Sequence, residues 1–240
     1  MIIPTAKRLQ HIKEYYFSVK LQEIRRMREA GHDVINLGIG SPDMMPSEKT
    51  ITALHESALD SQNHGYQSYQ GTPELRKAIA AFYQQAYGVS LRPDDELLPL
   101  MGSKEGITHI SLTFLNAGDE VLVPELGYPA YSAVTRMVEG QVRTYPLRES
   151  DWQPDLEAMQ KEDYSRVKLM WVNYPHMPTG TPANAEILQQ LIELAKEKQF
   201  LLCHDNPYSL VLNRRKPFSI LSLSGAKEVS LELNSLSKSH

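Results

Sequence analysis

Phe200-Leu201-Leu202-Cys203-His204-Asp205-Asn206-Pro207-Tyr208 sets the architecture of this chain: an apolar run, a carboxylate at its exit, then a turn dipeptide. A short apolar run bounded by turn residues predicts a strand covered on both faces. Upstream, the periodicity predicts a helix over Ala185–Lys198 and a strand over 167–172. Further back the same alternation gives strands at 97–101, 120–123 and 142–147, separated by helices that end near Asn116 and Glu139, with a short helix before residue 167. Downstream, residues 228–233 alternate as a strand and lead into Asn234-Ser235-Leu236-Ser237-Lys238-Ser239-His240. Alternation with short turns predicts an α/β fold, three layers (α/β/α) around a mainly parallel sheet. In such sheets ligands gather at the carboxyl ends of the strands.

The first third reads as helices and loops. Phe17, Leu21 and Ile24 share a face and Gly31 closes the pattern, which predicts a helix over about 15–30. Pro46-Ser47 opens a second helix with Ile51, Leu54 and Ala58 on one face. Thr72 as N-cap and Pro73 at the first position open a third, with Leu75, Ile79, Phe82 and Ala86 as its apolar stripe and Gly88 as its end. Between the first two helices, Gly38-Ile39-Gly40-Ser41-Pro42-Asp43 permits a tight turn and marks a domain joint near 38–46.

Composition narrows the function. A length of 240 residues with 41% hydrophobic content sustains a large core, and a net charge of −4 with interspersed signs argues against nucleic acid or a membrane surface as partner. No run approaches the ~18 apolar residues of a spanning helix. Cys203, the single cysteine, sits in an apolar run, so a buried thiol in a reducing, cytoplasmic setting is expected and a metal site is not.

Three features at strand ends carry chemistry. Gly102-Ser103-Lys104-Glu105-Gly106 opens a helix, where amides, a hydroxyl and the positive helix end suit a phosphate. Asp205, at the end of a buried strand, calls for a partner such as a cationic ring nitrogen. Lys238, flanked by hydroxyls at the mouth of a strand, is placed to act as a desolvated nucleophilic amine. The plain alternatives are an ordinary loop, a cap on the Asn206-Pro207 turn, and a solvated lysine in a polar turn. A phosphate cradle, an anion for a ring nitrogen and an amine for a carbonyl are together the requirements of pyridoxal 5′-phosphate.

With that convergence the chain resembles the fold-type I pyridoxal-phosphate enzymes, within the aminotransferase family that includes aspartate, alanine and LL-diaminopimelate aminotransferases. The likeness rests on Leu37-Gly38-Ile39-Gly40-Ser41-Pro42-Asp43, Tyr66 ahead of Gly71-Thr72-Pro73, Gly102-Ser103-Lys104, Gly118-Asp119-Glu120-Val121, Pro178-Thr179-Gly180, Asp205-Asn206-Pro207-Tyr208 and Ser235-Leu236-Ser237-Lys238. It implies residues 1–45 as an N-terminal arm and part of a small domain, and 46–240 as the cofactor-binding large domain. It assigns Lys238 to the aldimine with the cofactor and to the later proton shift. Asp205 is assigned to the pyridinium nitrogen, Tyr208 to the ring hydroxyl, Tyr128 to the ring face, and Gly102, Ser103, Lys104 and Ser235 to the phosphate. Tyr66 is expected to reach the phosphate of a neighbouring subunit, implying a homodimer. The Gly40 amide and Tyr15 are expected at the substrate.

The implied activity moves an amino group between an amino acid and a 2-oxo acid. β-Elimination through the same linkage, a non-catalytic cofactor-binding regulator and a truncated remnant are the alternatives. Two departures stand out. Met177 precedes Pro178-Thr179-Gly180 where the family commonly has an asparagine that donates to the ring hydroxyl, and a thioether cannot donate. The chain also stops two residues after Lys238, short of the arginines that hold phosphate and substrate carboxylate in relatives, so an incomplete small domain and an incomplete polypeptide are expected.

Overall fold

The computed structural model of the protein describes residues 2–9, 16–38, 40–211 and 216–239. Helices α1 (Tyr16–Glu29), α2 (Glu48–Leu59) and α3 (Pro73–Tyr87) lead into a strict alternation. This runs α4 (Ser103–Phe114), β1 (Glu120–Pro124), α5 (Pro129–Met137), β2 (Gln141–Tyr145), α6 (Leu156–Met159), β3 (Val167–Asn173), α7 (Ala185–Lys198), β4 (Leu201–Asn206), α8 (Ala226–Val229) and β5 (Ser230–Asn234). The strands form one parallel sheet in the order β2-β1-β3-β4-β5.

The two-residue repeat of the strands divides the core into two layers. Val121, Val123, Leu169, Trp171 and Cys203 meet α4 and α5 on one face, through Ile107 and Tyr131. Leu122, Met170, Val172 and Leu202 meet α7 on the other, through Leu188, Leu191 and Ile192. Each such aliphatic side chain taken fully from water contributes about 1.5–3 kcal/mol, so these two layers hold the sheet between its helices. Asn184 caps α7, with Glu186 in its first turn and Lys196 and Lys198 in its last, each sign placed where the helix dipole favours it.

Local signals fix α3 as well: Thr72 Oγ1 accepts from the Leu75 amide at 3.2 Å, and Gly88 ends the helix at φ +72°. Its buried side, however, is Arg76, Tyr83 and Tyr87, whereas Leu75 is exposed. Ile79, Phe82 and Ala86 of the expected stripe are half-buried and pack against this cluster, and the tyrosines go deeper because their hydroxyls find partners on β5 and after β4. Helix α2 buries none of its residues, leaving Leu54 and Leu59 open to solvent.

The strand expected at 97–101 does not form. These residues pair with no strand, and Leu98 and Met101 are exposed; a strand exists only where a neighbour supplies a ladder. The strand expected at 142–147 stops at Tyr145, and Glu228 and Val229 belong to α8 rather than to β5. Among the described residues no helix is long and apolar enough to cross a membrane.

Candidate active site

Chain order reverses direction at β1, which has β2 on one side and β3 on the other. The carboxyl ends of β1 and β3 therefore open a crevice. The loop after β1 brings Tyr128 and the head of α5, β3 ends on Asn173, and β4 ends on Asp205 and Asn206.

Asp205 points to the face covered by α5. Tyr131 donates its hydroxyl to Asp205 Oδ2 at 2.8 Å, and Asn173 Nδ2 donates to the Asp205 carbonyl at 2.7 Å. The other carboxylate oxygen, Oδ1, is buried with no hydrogen-bond partner. Burial pushes the carboxyl up to about 6, against the opposing pull of the Tyr131 bond and the His204 charge. Tyr131 is itself held by a stack on Trp171, with ring centroids 5.1 Å apart and planes within 4°.

At the head of α4, Gly102 has φ +127°, a conformation that favours glycine, and it supplies no side-chain cap. The first-turn amides of a helix lack intrahelical acceptors, and Ser103 Oγ here is buried with no hydrogen-bond partner. Gly106 lets α4 lie close on β5: a Cβ at that position would come within 2.7 Å of Leu233 Cδ2. Lys104 Nζ lies 5.9 Å from the centre of the Tyr128 ring, which in turn meets Tyr131 edge to face at 5.7 Å.

Register places Leu233 beside Asp205 and Asn234 beside Asn206, so the Ser235–Lys238 turn leaves the sheet at the same end. Lys238 is half-buried, and its Nζ donates to the Gly40 carbonyl at 2.8 Å. Ser235 Oγ accepts from the Ser237 amide at 3.2 Å within that turn. Tyr208 is half-buried, while Tyr66 is fully exposed. Tyr15 lies outside the described residues.

The structure thus joins Lys238 with Gly40 and Lys104 with Tyr128, and it leaves Tyr66 apart from both pairs. Reading the sequence alone misses Tyr131, for which a phenol one helical turn beyond Tyr128 is the available signal, and it misses the bond of Asn173 to Asp205, whose partner is 32 residues away and which nothing local marks.

The two orphaned atoms, Asp205 Oδ1 and Ser103 Oγ, suit the two ends of pyridoxal 5′-phosphate, a protonated ring nitrogen for the carboxylate and a phosphate oxygen for the hydroxyl. A parallel sheet with Asp205 at a strand end, Ser103 at the head of a covering helix and a lysine on the turn after β5 defines the large domain of a fold-type I pyridoxal-phosphate enzyme. Comparison with known proteins agrees. The family described as Aminotransferase class I and II matches residues 32–240, and the chain belongs to it. It is 40% identical over 237 residues to the LL-diaminopimelate aminotransferase of Dehalococcoides mccartyi (strain BAV1), covering 98% of this chain and 61% of that relative. Among solved structures, apo-BacF from Bacillus subtilis superposes with a TM-score of 0.92 at 36% identity, over 99% of this chain and 61% of that one. A probable N-succinyldiaminopimelate aminotransferase from Thermus thermophilus gives 0.86 at 37% identity, over 93% and 61%. The chain therefore spans about three-fifths of the length of these relatives.

Proposed function

We propose that the protein is an aminotransferase that moves an amino group between an amino acid and a 2-oxo acid with pyridoxal 5′-phosphate. The observation that carries the reading is the buried, unpartnered Oδ1 of Asp205, a carboxylate oxygen prepared for a cationic donor. When bound, the cofactor supplies a carbonyl for an amine and a ring that withdraws electrons from the substrate carbon. Lys238 would hold the cofactor through its amine and would serve as a base that carries a proton across the substrate. Asp205 keeps the ring nitrogen protonated, and Tyr131 and Asn173 keep Asp205 in place. Tyr208 donates to the ring hydroxyl and Tyr128 covers the ring face. Gly102, Ser103, Lys104 and Ser235 hold the phosphate, the first three by the helix head. Gly40 offers its amide to the substrate carboxylate, and Tyr15 completes that side.

Residues 1–45 form the arm and part of a small domain in this reading, and 46–240 the large domain. Leu37, Leu54, Leu59 and Tyr66 are each exposed, and apolar side chains left open to solvent support a homodimer in which Tyr66 reaches the other subunit's phosphate. The buried thiol of Cys203 supports a cytoplasmic setting.

The test uses protein expressed from its complete reading frame. Borohydride reduction with pyridoxal 5′-phosphate, followed by peptide mapping, should label Lys238; a label on Lys104 or Lys227 would overturn the assignment. Amino-group transfer to a 2-oxo acid should then be assayed across a panel of amino acids, beginning with LL-diaminopimelate, the donor in the relative's name. Release of ammonia and pyruvate with no net amino transfer would replace aminotransfer by β-elimination.

A further inference from the structure

Asp205 has neighbours on both sides whose side chains, by the strand repeat, leave the opposite face of β4. Both end on one oxygen. Glu232 Oε2 lies 2.9 Å from His204 Nδ1 and accepts from Asn206 Nδ2 at 3.3 Å. Glu232 stands directly across from His204 in the β4–β5 ladder, and the Ile220 amide donates to the same oxygen at 3.0 Å. The second oxygen, Oε1, accepts from the Tyr83 and Ser219 hydroxyls, each at 2.9 Å. The side chains of His204 and Glu232 are wholly buried.

His204 has a second commitment. Its Nε2 lies 2.9 Å from the carbonyl of Tyr174, the residue after Asn173, and Asn173 in turn donates to the Asp205 carbonyl. Both ring nitrogens are thus held by partners within hydrogen-bond reach. A buried polar pair, even a charged one, contributes little net stability compared with an apolar pair of the same size, so holding the sheet together does not by itself call for one here. What this pair does, and an apolar pair cannot, is fix three chain segments by directional bonds at one place. These are β4 on either side of Asp205, the start of the loop after β3, and β5 six residues before Lys238.

We propose that Glu232 and His204 are positioning residues that clamp the backbone around Asp205 and set it in register with the turn carrying Lys238. A group at a reactive site must be held to about 0.5 Å by the residues behind it, and this clamp lies directly behind the carboxylate. The proposal rests on the cofactor reading above. It divides Glu232 into two functional sides: Oε2 serves the site through His204 and Asn206 and also takes the Ile220 amide, whereas Oε1 takes only the Tyr83 and Ser219 hydroxyls.

That division supplies the test, made on protein from the complete reading frame titrated with pyridoxal 5′-phosphate. His204→Gln and Glu232→Gln break the clamp; Tyr83→Phe and Ser219→Ala remove donors to Oε1 only. Thermal midpoints should fall in all four. Cofactor affinity should fall about tenfold or more in the first two and stay within about twofold in the others. Visible circular dichroism per bound cofactor, which reports how firmly the ring is fixed, should likewise drop in the first two alone. Should Glu232→Gln fail to fold, His204→Gln against Tyr83→Phe gives the same comparison. Equal affinity and equal ellipticity across the set, with only the midpoints moving, would overturn the clamp and leave a plain structural pair. A parent protein that takes up no cofactor would instead overturn the functional reading on which the proposal stands.

Discussion

Tyr131 donates to Asp205 Oδ2 at 2.8 Å and leaves Oδ1 of the same carboxylate buried and unbonded, so the protein holds one oxygen and gives the other no hydrogen bond. Burial raises the Tyr131 hydroxyl well above its ordinary range, which keeps it a donor at any working pH. Tyr131→Phe retains the stack on Trp171 and removes only the donor. Leaving a buried acceptor unpaired costs about 1–3 kcal/mol, read as a lower urea midpoint. Cofactor affinity should fall by about tenfold, because a carboxylate free to turn holds the ring nitrogen less firmly. An unchanged affinity would remove Tyr131 from the site.

The same carboxylate sets a pH dependence. Asp205 is pushed up to about 6 in the fold, whereas an unfolded aspartate titrates near ~3.9. Between those values the folded state holds the extra proton, so stability falls as pH rises through the window. Stability is highest below about 4 for this group, and the loss is complete above about 6, amounting to about 3 kcal/mol at ~1.36 kcal/mol per unit. Urea unfolding of cofactor-free protein from pH 4 to 7 should show this decline relative to Asp205→Asn, in which the titrating group is gone. Parallel curves for the two proteins would show that Asp205 is not buried as described.

Ser103 makes the opposite kind of prediction. Its hydroxyl has no hydrogen-bond partner in the fold, so Ser103→Ala should change the stability of cofactor-free protein by less than about 0.5 kcal/mol. A hydrogen bond to a charged phosphate is worth about 1.5–3 kcal/mol, so affinity for pyridoxal 5′-phosphate should drop by about tenfold or more. Inorganic phosphate should compete with the cofactor less well in the variant. A stability loss without a binding loss would assign the hydroxyl to the fold alone.

What is legible in the sequence is whatever depends on neighbours in the chain. The strands at β3 and β4 show as apolar runs because both their faces are covered, and Thr72, Pro73 and Gly88 mark α3 because capping is local. Asp205, Ser103 and Lys238 stand out by residue type at strand and helix ends. Legibility fails where the partner is remote. Tyr83 lies 149 residues from Glu232, and no periodicity in α3 announces that its hydroxyl will be satisfied there, so the sequence favours an apolar stripe over the tyrosine face. Residues 97–101 form a short apolar run, but pairing depends on a neighbour that the run does not specify. His204 reads as the polar end of an apolar run and Glu232 as a polar position of an alternating strand; only the register of β4 against β5 makes them a pair.

Met177 gives the last prediction. Two nearby residues are candidates to replace the missing asparagine donor to the ring hydroxyl, and the structure commits both elsewhere. Asn173 donates its Nδ2 to the Asp205 carbonyl at 2.7 Å and accepts the Met177 amide on Oδ1 at 2.9 Å. His176 has Nδ1 2.9 Å from Thr179 Oγ1 and Nε2 3.0 Å from the Leu126 carbonyl. A thioether donates nothing, and the proposed reading gives that role to Tyr208. Met177→Asn should supply a second one. Drawing electron density from the ring oxygen weakens its hold on the proton at the neighbouring nitrogen, so the pKa read from the visible band of the loaded protein should fall. Part of a charge-assisted bond of about 1.5–3 kcal/mol corresponds to about one pKa unit. Spectral titration of the variant beside the parent protein measures it, and a pKa that stays or rises would show that position 177 does not face the ring.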